Sequence, residues 1–370
     1  MKNYLIPMPI LLLVACSGGT GDNGPHTLYV GTYTTGESEG IYALEFDSSN
    51  GALSNQRLVA KLPNPSYLAL SGDGQNLYAV QETDDFDAHG GGVTAFGRQG
   101  GELLPLGSLG TAGAHPCHLS LSGDGQLAVA NYSGGNVAVF ALGQDGSLAG
   151  APQVLDHNAL DSTKTAHAHM AKFSPDGLFV ADLGLDAVKR YRWVDGRYRP
   201  GPQPSLPFVA GAGPRHFEFG PGGGHLYVIN ELNSTISVFE RDSSGRYAEI
   251  QVAGTLDPAF GGDNACADLH LSPDGRFLYA SNRGENTIAI FSVDPKSGLI
   301  VPLGREPVRG DWPRNFVLDP SGGFLLVANQ RSGNISVFKR DVAKGTLEHL
   351  GGTELADPAC LVFSQGPISP

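Results

Sequence analysis

The hexapeptide LYVGTY at residues 28–33 returns as LYAVQE (77–82), LAVANY (127–132), LFVADL (178–183), LYVINE (226–231), LYASNR (278–283) and LLVANQ (325–330). Successive copies start 47–52 residues apart. That period is too short for a string of β-sandwich domains, which run to about a hundred residues each. Working outward from each copy, Asp-Gly pairs such as Asp73-Gly74, Asp124-Gly125, Asp176-Gly177 and Asp274-Gly275 stand just ahead of it. Asp-Gly between apolar runs marks a hairpin, because the turn needs positive φ. Another short strand precedes the turn, as at 118–122 and 216–219, and a third alternating strand follows the hexamer, as at 137–142, 236–240 and 335–339. A further turn, as at Gly146-Ser147 or Gly345-Thr346, leads to a fourth. The spacing therefore predicts an all-β, seven-bladed β-propeller with four antiparallel strands per blade.

The two ends fit together. The first hexamer has no inner strand ahead of it, while PACLVF at 358–363 matches the inner strands of the other units. The C-terminal strand is expected to complete the first blade, closing the ring and hiding the edges an open sheet would expose.

Composition narrows the function classes. With 16% charged and 41% hydrophobic residues the chain can bury a core, and its 52 glycines and 25 prolines fall between the apolar runs, where turns belong. A formal net charge of −13 with no basic run excludes nucleic acid as a partner and suits a soluble monomer. At the N-terminus, Lys2 and an apolar stretch over 4–15 lead to LVAC at 13–16, which resembles the bacterial lipobox. Residues 1–15 read as a lipoprotein signal peptide, Cys16 as the lipidated residue, 16–25 as a flexible tether and 26–370 as the propeller. The chain is thus expected in the bacterial cell envelope, held to a membrane by its lipid. Cys117, Cys266 and Cys360 remain, an odd set with no CxxC spacing, and a disulfide among them is left open. His26, His89, His157 and His349 read as surface loop residues.

In a propeller the inner strands converge on the central channel, so polar residues there are candidates for chemistry. Aligned on the Asp-Gly turns, the inner strands carry His169, Arg215 and Arg314 in one column and His118, His216, Asp268 and Asn315 in the next. The ends of the second strands add Glu82, Asn131, Asp182, Glu231, Arg283 and Gln330 near the same mouth. Such a mixture suits acid/base work on an ester or lactone, with a base for water and cations for the developing oxyanion. The histidines come with arginines and few carboxylates, so neither a metal nor another cofactor is expected.

GPRH at 213–216 followed by VINELNS at 228–234, DLHLSPDGR at 268–276 leading to SNR at 281–283, and PRN at 313–315 resemble the lactonase-type seven-bladed propellers. That family includes the propeller-type bacterial 6-phosphogluconolactonase and the fungal carboxymuconate lactonizing enzyme. The resemblance implies metal-independent hydrolysis of a sugar lactone, nominally 6-phosphogluconolactone, although that sugar phosphate is scarce outside the inner membrane. It places a catalytic His, two Arg and a Glu on His169, Arg215, Arg283 and Glu231, with His167 as the alternative imidazole. His169 or Glu231 would be the base, with Arg215 and Arg283 binding the anion. His118, His167, His216, Asp268, Asn282 and Arg314 would contact substrate. Truncating Arg215 or Glu231 is expected to cost little stability. The rival readings are a non-catalytic envelope propeller binding a glycan or protein, and a Ca2+-dependent gluconolactonase.

Overall fold

The computed structural model describes residues 26–364; the leader, Cys16 and the tether lie outside the described residues. Within them the chain forms seven four-stranded antiparallel sheets. Their inner strands touch one another in a closed cycle, which makes them the wall of a central channel. The hexamers are the second strands of the blades. The C-terminal strand Pro358–Phe363 pairs with the first strand, His26–Thr32, in the register Leu28 to Phe363 and Val30 to Leu361. The ring closes as the sequence predicts, and the first blade has the same four strands as the other six, with the C-terminal strand innermost.

Why the hexamers are apolar on both faces follows from where the core lies. The large apolar clusters sit between blades, one at each of the seven interfaces. Leu28, Val30 and Phe46 of the first blade, for example, pack against Leu326 and Val337 of the seventh. A second strand is covered by a neighbouring blade on either side, so the period-two alternation of a half-exposed strand is suppressed, as it is in sheets buried on both faces. Each fully buried aliphatic or aromatic side chain contributes about 1.5–3 kcal/mol. Tyrosines at the second hexamer position tie adjacent blades. Tyr78, Tyr227 and Tyr279 are buried and donate their hydroxyls to the carbonyls of Gly146, Gly298 and Gly345 in the next blade, at 2.8, 3.0 and 2.9 Å.

One recurring feature of the inner strands has no glycine or turn signal to mark it in the sequence. In Pro116–Leu121, Ala168–Ser174, Pro214–Phe219 and Pro313–Leu318, one residue is inserted opposite the second strand: Cys117, His169, Arg215 and Arg314 respectively. Similar shifts occur across Ala267 and Asp268 in Ala265–Leu271, and at Ala359 in the closing strand. A β-bulge leaves its extra residue out of the ladder and re-aims its side chain. Consecutive residues such as Arg215 and His216 can therefore both reach the channel.

His157 corrects the sequence reading. It is fully buried, with Nδ1 2.7 Å from Asp182 and Nε2 2.9 Å from the Tyr191 hydroxyl. Its loop folds back between the third and fourth blades, and burial of a polar ring is tolerated because both nitrogens are hydrogen-bonded. Cys117, Cys266 and Cys360 are buried free thiols.

Candidate active site

Two columns of the repeat build one mouth of the channel. The first is the bulge position, with Cys117, His169, Arg215 and Arg314. The second is the last hexamer position, with Tyr33, Glu82, Tyr132, Glu231 and Arg283. The centre is an ion-paired cluster. Glu231 Oε2 lies 2.9 Å from Arg215 Nε and 2.8 Å from Arg283 Nη2, so one carboxylate oxygen is shared by two guanidiniums from adjacent blades. Arg283 is braced further by the Ala265 and Cys266 carbonyls and lies 5.1 Å from the Trp312 ring, with Arg331 stacked on the same indole. Across the mouth, Arg314 lies over the Tyr33 ring at 5.0 Å and 4.0 Å from Glu82, which accepts from the Tyr33 hydroxyl at 2.8 Å.

His169 sits beside this cluster at 5% exposure, its ring edge-on to Tyr132 at 5.6 Å and its Nδ1 3.8 Å from Cys117 Sγ. His167 stacks on the same tyrosine, nearly parallel to it at 4.5 Å, with Nδ1 on the Tyr132 carbonyl. The four residues expected to be catalytic are thus brought to one mouth, with Arg314 and His167 at its edge.

The electrostatics follow from burial of unequal charge. Three arginines face two glutamates. Burial raises the Glu231 pKa, but Arg283 and Arg215 outweigh it and hold the carboxyl below its ordinary range. Burial and then Arg215 push His169 well below the ordinary histidine value, so the imidazole is neutral. Burial, and next the charge of Arg215, lower the Arg283 pKa, and Glu231 holds the proton in place. Burial, opposed by the nearby arginines, drives the Cys117 thiol far up and leaves it inert.

His118, His216 and Asp268 lie one layer deeper than Arg215, not level with it. His216 is within 5.2 Å of the His169 ring and 5.5 Å of the His118 ring, and its Nδ1 is 2.8 Å from Asp268. Beneath them, Lys172, Glu218 and His270 form a chain of ion pairs ending on Asp268. This layer borders a separate cavity of about 780 Å3 opening at the Asp-Gly-turn end of the channel.

Asn282 is turned away from the channel altogether. It is fully buried and bonds the Thr255 carbonyl, Glu285 and Thr287. Asn131 and Asp182 behave alike, bonding Asn136 and His157. All three occupy the fifth hexamer position, and neighbours on a strand point to opposite sides. That position stabilises the turn leaving the second strand, whereas the sixth faces the mouth. Tyr33, Tyr132 and Trp312 were missed by the sequence reading. Taking the sixth hexamer column by itself would have found the two tyrosines. Among the described residues no group of three or more His, Cys, Asp or Glu side chains is placed to hold a metal ion.

Residues 27–363 match the model of the lactonase family of seven-bladed β-propellers. The chain is 37% identical over 300 residues to a 6-phosphogluconolactonase of Bacillus subtilis, covering 79% of this chain and 84% of that protein. It is 34% identical over 309 residues to a 6-phosphogluconolactonase of Formosa agariphila, covering 79% and 86%. Among solved structures, the periplasmic gluconolactonase of Pseudomonas aeruginosa superposes with a TM-score of 0.87 at 37% identity, covering 93% of this chain and 100% of that one.

Proposed function

Since the chain belongs to the lactonase family of seven-bladed β-propellers, we propose that it hydrolyses a sugar lactone of the gluconolactone type at the His169, Arg215, Glu231 and Arg283 mouth. The observation that carries this reading is the Glu231 carboxylate clamped between two buried guanidiniums beside a neutral imidazole. His169 Nε2, the nitrogen on the far side of the ring from Cys117, takes a proton from water as the water oxygen bonds to the lactone carbonyl. Negative charge then grows on the carbonyl oxygen, where Arg215 and Arg283 stabilise it. That charge also offsets the cations that depress His169, so the imidazolium becomes favourable only as the transition state forms. Collapse of the tetrahedral species breaks the ring C–O bond, and the imidazolium returns its proton to the departing oxygen to give the hydroxy acid. Glu231, doubly paired and of low basicity, orients the guanidiniums. The mouth's excess of one cation suits the carboxylate that is formed.

Purified protein lacking residues 1–15 should hydrolyse glucono-δ-lactone or 6-phosphoglucono-δ-lactone faster than the uncatalysed rate, and still do so in chelator. No rate above background on either lactone would overturn the reading in favour of a binding propeller, and loss in chelator would favour the Ca2+-dependent one.

A location outside the inner membrane favours the unphosphorylated lactone, and the similarity to a periplasmic gluconolactonase supports it. Residues 1–15 act as a cleaved signal peptide and Cys16 carries the lipid. Mass spectrometry of membrane-extracted protein should find a diacylglyceryl-modified peptide beginning at Cys16. A soluble chain with residues 1–15 intact would remove the envelope assignment.

A further inference from the structure

We infer that His216, locked in one tautomer by Asp268, is a positioning residue that holds the Arg215 guanidinium in its working orientation. The inference rests on the reading of Arg215 as an oxyanion-stabilising group. It replaces the expectation that His216 and Asp268 themselves contact substrate.

Asp268 is 2% exposed, and donors converge on its carboxylate: His216 Nδ1 at 2.8 Å, Asn315 Nδ2 at 2.6 Å, the Leu269 amide at 3.0 Å and His270 Nε2 at 3.2 Å. Burial raises its pKa, but His270 and His216 more than reverse this and keep it ionised. An ionised carboxylate can only accept, so His216 Nδ1 must carry the proton. Burial and Arg215 also press the His216 pKa down to about 4, so the ring is neutral and its Nε2 presents a lone pair.

That lone pair faces Arg215. Nη1 of Arg215 lies 3.5 Å from His216 Nε2 and 2.5 Å from the Ala267 carbonyl, while Nε is 2.9 Å from Glu231 Oε2. Ala267 and Asp268 are neighbours on the irregular part of one inner strand, which therefore supplies both the carbonyl that takes Arg215 and the carboxylate that locks His216. Arg215 itself is the extra residue of its bulge, outside the regular ladder. These side-chain and carbonyl contacts must fix its direction in place of the strand. With the other tautomer, or with a protonated ring, His216 would turn an N–H toward a guanidinium N–H and push it away.

Two variants separate the halves of this arrangement. His216→Asn keeps a donor for Asp268 but has nothing at the place of Nε2. His216→Gln reaches the place of Nε2 with its carbonyl but gives up the donor to Asp268. Assayed on glucono-δ-lactone, His216→Asn should lose about tenfold or more in kcat/KM, chiefly in kcat, the scale expected of a misdirected catalytic group. His216→Gln should be at least about fivefold more active than the Asn variant while unfolding at an equal or lower temperature. A structural role predicts that activity tracks stability, so an Asn variant as active as the Gln variant overturns the inference. So does a loss that follows melting temperature in both. Arg215→Ala serves as the control. If it keeps full activity, the reading of the site has failed. If it is inactive while His216→Asn matches the wild type, only the positioning role has failed.

Discussion

At the scale of single residues, the arginine–glutamate cluster revises one expectation. Arg215 is 2% exposed and shares Glu231 with Arg283. Removing one partner of a buried ion pair costs about 3–5 kcal/mol, because the remaining charge stays desolvated. Glu231→Ala should therefore lower stability measurably in urea unfolding, contrary to the sequence-based expectation, while Glu231→Gln keeps an acceptor and tests chemistry more cleanly. Arg215→Ala and Glu231→Gln should each lower kcat/KM by about a hundredfold. Arg283→Lys should also be impaired, since an ammonium cannot bond Glu231 and the two strand carbonyls in one plane. The His169 pKa predicts a pH profile. Burial and arginine charge hold it well below the ordinary value, so the neutral base is fully present at neutral pH. After subtraction of spontaneous lactone hydrolysis, kcat/KM should be flat from about pH 6.5 to 8, the range above the ordinary histidine value. An inflection within that range would remove His169 as the base. The residue types of the site were legible in the sequence because they recur at fixed places in the repeat. Their pairing was not, since Glu231 reaches Arg215 on a neighbouring strand of its own blade and Arg283 on the next blade, contacts that exist only once the blades are packed side by side.

At the scale of elements, the bulge and the closing strand matter most. Deleting residues 357–370 removes Pro358–Phe363, which supplies the inner strand of the first blade and packs Leu361 and Phe363 into the cluster shared with the seventh. The truncated chain should lose cooperative thermal unfolding or melt well below the full-length protein. An unchanged melting temperature would mean the ring does not depend on this closure. The bulges could not be read from the hexamer alignment. An inserted residue on one strand is compensated by its partner's geometry, and nothing at Cys117, His169, Arg215 or Arg314 is a bulge-forming glycine. Asn282, expected at the mouth, shows the same gap. Hexamer positions five and six are adjacent in sequence yet face opposite ways, and only the strand's orientation in the blade says which one sees the channel.

At the scale of the whole molecule, the buried channel groups make stability depend on pH from both sides. The folded-state pKa values of His118, His169 and His216 are depressed by burial and neighbouring cations. The unfolded chain takes up protons there first, so stability falls as pH drops below about 6.5, and the depressed carboxyls of Asp268 and Glu218 add to the loss in stronger acid. His270 has the opposite sign. Although burial lowers it, Asp268 and Glu218 raise its pKa to about 10, so its contribution is full below about 6.5 and is lost as pH rises toward about 10. The melting temperature should therefore peak near pH 6.5 and decline in both directions, and His270→Gln should flatten the alkaline side. A plateau extending unchanged from pH 6.5 to 10 in the wild type would contradict this. The sequence by itself determined the blade count, the four-strand unit and the closing strand, because each is written as a spacing, a turn signal or a strand motif legible without the fold, and the family through the resemblance of its GPRH, DLHLSPDGR and PRN motifs. Only the tertiary structure decided which polar side chains share the catalytic mouth, which lie a layer below it and which turn into a blade, because those depend on bulges and on the convergence of separate blades at one axis.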